Sequence, residues 1–157
     1  VNCHLIVGLG ETDQDMVNMF YKLKAEEIAG YLFSFNPEPG TTLQDQTRQP
    51  IQRHRRVQLA KYLIEEKDAE RDVFQFDENG FITSIESEEE LIQDTIDEGF
   101  PFMTNGCPDR EGVMACNRPY GSYRPGEEFR DYPFKPTGDE LNLIREQMQL
   151  NGELRAG

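Results

Sequence analysis

Hydrophobic and polar positions alternate from the start of the chain. In an extended segment Asn2, His4 and Ile6 share one face, and Cys3, Leu5 and Val7 share the other. The odd set is uniformly apolar and is expected under a helix, with Cys3 as a small buried hydrophobe. The even set mixes polar with apolar, as the lining of a site does. After Gly8-Leu9-Gly10-Glu11, Thr12 with Asp15 signals a helix start. Met16, Met19, Phe20 and Leu23 then recur as one helical face, and Gly30 is the expected stop. Residues 31–35 are apolar and aromatic, which predicts a strand buried on both sides. The Pro- and Gly-rich stretch 36–42 is a loop.

Pro50 suits the first turn of a helix running through Tyr62, Leu63 and Ile64. The apolar stretches 73–76 and 81–85 flank Asp77-Glu78-Asn79-Gly80, the pattern of a hairpin or of a strand with a turn. Ser87 with Glu90 predicts a capping box before the stripe Leu91, Ile92, Thr95 and Ile96, and Gly99 ends it. Thr137 with Glu140 repeats the device before a last helix carrying Leu141, Ile144 and Met148. This alternation of strand and helix predicts an α/β fold with a parallel sheet. A complete (β/α)₈ barrel needs about 250 residues, so only part of a TIM-like barrel fits here. Residues 101–136 differ in kind: they hold six of the nine prolines and have no periodicity. A compact domain keeps so long an irregular segment when it has a task or is held by something.

Charge changes the picture locally. The 157 residues carry 16 Lys and Arg against 30 Asp and Glu, a formal charge of −14, which argues against a nucleic-acid partner. No apolar run is long enough to cross a membrane. Three cysteines are too few for a disulfide scaffold and suit a reducing, cytoplasmic compartment. The chain opens on Val1 within a strand pattern, so a piece of a longer protein is expected. Between residues 48 and 61 there are five basic residues and no acid, whereas 14 acids oppose Lys67 and Arg71 between residues 65 and 98. Both runs read as solvated helix faces; alternatively Arg53-His54-Arg55-Arg56 faces an anion.

The candidate chemistry is confined to a few places. Gly8 and Gly10 lack the further glycine or Gly-Lys-Ser/Thr of a phosphate loop; they allow a ligand to approach the backbone, and Glu11 can brace the turn through backbone N–H groups. His4 is either a hydrogen-bonded structural histidine or a site residue. Cys107 and Cys116, with eight residues between them, are metal ligands, a redox pair or unrelated thiols. Two thiolates do not complete a site that wants about four ligands.

The segment from His4 to Thr12 resembles the strand-to-helix motif G-x-I-x-G-x-x-E of radical S-adenosylmethionine (radical SAM) enzymes, matching at Ile6, Gly8 and Glu11 and departing at His4. Pro37-Glu38-Pro39-Gly40-Thr41 is similar to the P-x-x-G-T loop after that family's next strand. Met103 to Pro108, Ala115 to Gly121 and Arg124-Pro125-Gly126 look like the C-terminal segment of biotin-synthase-like members, including two-component lipoyl synthases, in which the cysteines stand closer together. The resemblance implies that residues 1–99 are C-terminal (β/α) units of a radical SAM barrel, 100–136 an irregular cysteine-bearing segment, and 137–157 a final helix and tail. It implies S-adenosylmethionine as cofactor, held by Ile6, Gly8 and Glu11, with Ile6 on the adenine and Glu11 steadying the turn. The cofactor would be cleaved reductively to a 5′-deoxyadenosyl radical that abstracts hydrogen. The C-x-x-x-C-x-x-C triad that ligates the catalytic 4Fe–4S cluster does not occur here, so the chain alone should be inactive. Cys107 and Cys116 would bind an auxiliary, sulfur-donating cluster, facing the same mouth as Ile6. Arg118 and Arg124 either grip the carboxylate of a small-molecule or protein-bound acyl substrate or form loop salt bridges. A reductant protein and a partner radical SAM subunit are the implied partners. The alternatives are a single-cluster radical SAM lyase or mutase, and a non-catalytic acidic module whose cysteine loop binds a metal or a partner.

Overall fold

A parallel pair of strands, β1 (Asn2–Val7) and β2 (Ala29–Ser34), is joined by helix α1 (Asp13–Ala25), with His4 opposite Tyr31 and Ile6 opposite Phe33. The structure, a computed structural model, describes residues 2–116, 129–149 and 155–156, the stretches around Cys107 and Cys116 by their backbone. Thr12 and Asp15 close a full capping box: the Thr12 N–H donates to the Asp15 carboxylate at 2.9 Å, and the Asp15 N–H donates to the Thr12 hydroxyl at 3.1 Å. The Thr12 N–H, and after it the Thr12 hydroxyl, both donating to the Asp15 carboxylate at 2.9 Å, hold that carboxyl below the usual carboxylate range. The buried apolar face of α1 is Met16, Val17, Phe20 and Leu23; Met19, expected there, is 38% exposed.

Gly30 does not stop α1, which ends at Ala25; it lies inside β2. A Cβ there would sit 3.4 Å from Leu23 and from Glu65, so glycine lets the helices cross the strand closely. Nor is β2 buried on both sides. Gly30, Leu32 and Ser34 face the helices, while Tyr31 and Phe33 are half-buried on the other face.

Helix α2 (Ile51–Glu66) is the central element, buried on nearly every side through Val57, Leu59, Ala60, Leu63 and Ile64 and also through His54, Arg55 and Gln58. Strands β3 (Phe74–Phe76) and β4 (Ile82–Ile85) form an antiparallel hairpin. Asp77 Oδ1 accepts the N–H groups of Asn79 and Phe81, each at 2.9 Å, and Gly80 takes the left-handed φ of 80° that the turn needs. Helix α3 (Glu89–Glu98) has Glu88 as its N-cap and no side-chain cap, so the box expected from Ser87 is absent; Gly99, at φ 76°, ends it as expected. After the 3₁₀ turn Phe100–Phe102 come β5 (Cys107–Pro108) and β6 (Met114–Cys116), an antiparallel pair. Helix α4 (Gly138–Gln149) is preceded by the Thr137–Glu140 exchange and buries Leu141, Ile144 and Met148. Strand β7 (Arg155–Ala156) lies parallel to β4.

The incomplete, C-terminal part of a TIM-like barrel expected of residues 1–99 is not formed. Among the described residues the parallel sheet has two strands, and β3, β4 and β7 make a separate sheet. The reason is local. The Asp77-to-Gly80 turn reverses the chain at once, so β3 and β4 satisfy each other instead of extending the β1–β2 ladder. Their buried residues Phe74, Ile82 and Ile85 join the same core as Phe20, Leu32, Val57, Phe102 and Ile144. Helix α1 packs against β2 and α2, and α4 packs against α2. On the face of the β1–β2 pair away from Gly30, Leu32 and Ser34, Ile6 is exposed and Tyr31 and Phe33 are half-buried.

Candidate functional site

At the end of β1 the chain turns through Gly8, Leu9 and Gly10, and the Glu11 carboxylate holds the turn from inside. Its Oε1 accepts the Gly8 N–H at 2.7 Å and its Oε2 accepts the Leu9 N–H at 2.8 Å. Gly8 and Gly10 have φ of 108° and 115°, a region in which side chains with a Cβ are strained. At Gly8 a Cβ would also meet that of Phe35 at 3.3 Å, whereas at Gly10 nothing lies within 4 Å.

Ile6 stands on the open sheet face, 47% exposed. Beside it on that face is the exposed His4, its ring 5.4 Å from Tyr31 and 5.3 Å from Phe33 between centroids. The four residues make a partly exposed aliphatic and aromatic surface, with the His4 ring tilted by 55° to Tyr31 and 62° to Phe33. Cys3, on the opposite side, is half-buried with a free thiol.

The brace is itself anchored. Arg53, on α2, donates from Nη2 to Glu11 Oε1 at 2.9 Å and to the Glu11 carbonyl at 2.8 Å, and from Nε to Asp13 Oδ1 at 2.8 Å. Asp13 is fully buried at the start of α1, and its Oδ2 accepts the Ile82 N–H of β4 at 3.0 Å. One guanidinium and two carboxylates therefore join the turn, both helices and the hairpin. Beside the turn lies a cleft of about 450 Å³, whose walls include Gly8, Gly10, Arg48, Arg53, Arg56 and Phe81.

The run Arg53-His54-Arg55-Arg56 is not the solvated helix face its charge suggests: Arg53, His54 and Arg55 are all buried. His54 is fully enclosed, with Nδ1 3.2 Å from Gln49 Nε2 and Nε2 3.5 Å from Asp131 Oδ2. Burial pushes its pKa down and Asp131 acts in the opposite sense. Arg55 donates from Nε to Gln147 and from Nη1 to Gln58, each at 2.9 Å, and also to the carbonyls of Arg130 and Phe129. Gln58 adds bonds to the Arg130 carbonyl at 2.7 Å and to Asp131 at 2.8 Å. Tyr132 in turn bridges to Met103, with the Thr104 N–H donating to the Tyr132 carbonyl and the Tyr132 N–H to the Phe102 carbonyl, both at 2.8 Å. The irregular segment is thus tied at its base and strapped to α2. A second cavity, of about 200 Å³, opens at that base between Gln58, Tyr62, Phe100, Asn105 and Asp131.

Cys107 and Cys116 are register partners across β5 and β6, a placement their spacing did not reveal. Their side chains lie outside the described residues, as does the expectation that they face the mouth with Ile6; Arg118 and Arg124 lie outside altogether. Among the described residues no group of three or more His, Cys, Asp or Glu side chains is arranged to hold a metal ion. No helix among them is long and apolar enough to cross a membrane.

Compared with models of known families, with curated proteins and with solved structures, the chain matches none. What joins the sequence motif to a site is therefore its geometry. Ile6, Gly8 and Glu11 are brought together at one strand end, and the anchoring residues Arg53 and Asp13 were missed. The signal for Asp13 was present, an acid directly after the Thr12 cap; Arg53 is one of several basic residues in α2, and nothing in the sequence singles it out.

Proposed function

We propose that this chain forms the S-adenosylmethionine-contacting and substrate-end portion of a radical SAM iron–sulfur enzyme of the biotin-synthase-like, sulfur-inserting kind. The observation that carries the reading is the turn held by both Glu11 oxygens, directly after a strand that presents Ile6 on an open face beside His4 and Phe33. The residues fit the cofactor's adenosyl group. An exposed branched aliphatic side chain with aromatic neighbours gives a purine a flat apolar contact, and backbone without side chains at Gly8 and Gly10 admits close approach. When bound at a 4Fe–4S cluster, S-adenosylmethionine supplies one-electron chemistry able to open an unreactive C–H bond. This chain's own part is to seat the adenine on Ile6 and to keep the turn rigid through Glu11 and Arg53.

The cysteine triad for that cluster would come from protein outside these 157 residues. Cys107 and Cys116, opposite each other in the ladder, would contribute two thiolates to an auxiliary cluster. Arg118 and Arg124 would meet the carboxylate of a small-molecule or protein-bound acyl substrate. A reductant protein, a partner radical SAM subunit and a reducing cytoplasm complete the reading.

The test uses the longer protein, reconstituted anaerobically with iron and sulfide. Wild type should bind S-adenosylmethionine and release 5′-deoxyadenosine when reduced. Ile6→Glu, on an exposed site, should leave the melting temperature unchanged and abolish cofactor binding. Cys107→Ser with Cys116→Ser should lower the iron and sulfide content. Unimpaired cofactor binding by Ile6→Glu sinks the reading. A second reading, a non-catalytic acidic module with a metal-binding or partner-docking cysteine hairpin, is favoured by the independently tied base of that hairpin. A colourless zinc protein in place of a brown one would select it.

A further inference from the structure

Two of the three cysteines are brought level by an irregularity in the hairpin that carries them. Strand β5 pairs antiparallel with β6, Pro108 opposite Met114 and Cys107 opposite Cys116. Continued evenly from Pro108 and Met114, the ladder would set Cys107 opposite Ala115. A bulge between Cys107 and Pro108 shifts the register by one residue, and the two cysteines become partners. Residues directly opposite in an antiparallel pair have Cα atoms about 4.5–5.5 Å apart. A disulfide spans about 4.4–6.8 Å between Cα atoms, so this register brings the pair within reach of one.

The backbone around the pair is held from two directions. In the turn, Asp109 Oδ1 accepts the N–H groups of Glu111 at 2.8 Å and of Val113 at 3.0 Å, and Gly112 takes a left-handed φ of 81°. The Asp109 N–H donates to the Val113 carbonyl at 2.8 Å. Three residues before Cys107, the Thr104 N–H donates to the Tyr132 carbonyl, which ties the first strand to the strapped base. A pair already held level has lost much of the entropy that closing the loop costs, so its effective concentration exceeds that on an unfolded chain. Asp109 to Val113 are all exposed, which leaves the turn of the hairpin open to a small reagent from solvent. Cys3, the remaining cysteine, is a half-buried free thiol in β1.

We propose that Cys107 and Cys116 form a reversible dithiol–disulfide site, oxidised by a low-molecular-weight disulfide such as glutathione disulfide. One cysteine thiolate attacks a sulfur of the oxidant and expels half of it as a thiolate, leaving a mixed disulfide; the second cysteine displaces the other half. The two protein thiols give up two electrons and two protons, and the oxidant leaves as two thiols. The hairpin is thereby a switch: reduced, it offers two thiolates to a metal or cluster, and oxidised, it offers none. The inference does not rest on the iron–sulfur reading, since the exchange needs neither iron nor S-adenosylmethionine.

The test equilibrates the 157-residue chain, free of iron, in anaerobic buffers with a range of ratios of reduced to oxidised glutathione. Samples are quenched with acid, and the free thiols are alkylated and mapped by mass spectrometry. The expected product is lighter by two hydrogens and links the peptides that contain Cys107 and Cys116. It leaves Cys3 alkylated and is reversed by excess reduced glutathione. Its equilibrium constant should be about tenfold or more higher in the folded chain than in guanidinium chloride, where the register is lost. Moving one thiol out of register, by Ala115→Cys together with Cys116→Ala, should lower the folded value towards that in denaturant. Should that variant not fold, wild type in buffer against wild type in denaturant reads the same claim. Glutathione adducts with no link between the two cysteines, a link that includes Cys3, or equal constants in buffer and denaturant overturn it.

Discussion

Replacing Arg55 by methionine tests whether the strap across the irregular segment holds the fold. The side chain is fully buried and makes four named hydrogen bonds, two to glutamines and two to the carbonyls of Phe129 and Arg130. Bonds from a charged donor are worth about 1.5–3 kcal/mol each, but their sum overstates the loss because burying the guanidinium carries a desolvation cost of its own. Methionine recovers that desolvation cost while removing the bonds to the Phe129 carbonyl and to Gln147. The Arg130 carbonyl still has Gln58. The low end of the cost of breaking a buried polar pair, about 3 kcal/mol, is therefore expected. With a urea slope of about 2 kcal/mol per molar, the unfolding midpoint falls by about 1.5 M. Arg55→Lys should recover less than half, because a point charge cannot span four acceptors. Amide exchange at Thr104 and Tyr132 should accelerate in step, since these residues close the base. A midpoint shift below about 0.5 M would refute the strap.

Two further outcomes follow from the buried histidine and the strained glycines. Unfolded, His54 takes up a proton as pH falls through about 6.5; folded, burial keeps it neutral to lower pH. The unfolded state then binds more protons, so His54's share of stability is fully present above that pH and is lost progressively below it. Urea midpoints of wild type should fall over this window and those of His54→Gln should be flatter; equal slopes contradict the assignment. Gly10→Ala should cost about 1–3 kcal/mol in thermal unfolding through backbone strain. Gly8→Ala should cost more, because its Cβ also crowds Phe35; the reverse order would show that the turn relaxes freely.

Much of the local structure was legible, and for physical reasons. The Thr12 and Thr137 caps, the Gly99 stop, the hairpin turn and the stripe of Leu141, Ile144 and Met148 depend on neighbours within a few residues. The brace from Glu11 was legible for the same reason. What failed depends on distant partners. Strand 31–35 reads as doubly buried because hydrophobicity does not say how many layers will cover it, and among the described residues one face is buried and the other half-buried. The barrel failed because alternation of strands and helices does not specify which strands pair. The arginine run reads as solvated because charge patterning cannot see that carbonyls 74 and 75 residues later bond Arg55 and that acids 40 and 42 residues earlier bond Arg53. Ser87 shows the reverse error, a local signal left unused when the helix began at Glu89 instead.

The Asp13 carboxylate has a mechanical consequence. It grips Arg53 with one oxygen and the hairpin's Ile82 amide with the other, and Arg53 in turn grips the acid that shapes the glycine turn. Hairpin and strand end thus behave as two arms of one lever pivoting on α1. A displacement of β4 reaches the mouth through three polar links, bypassing the apolar interior.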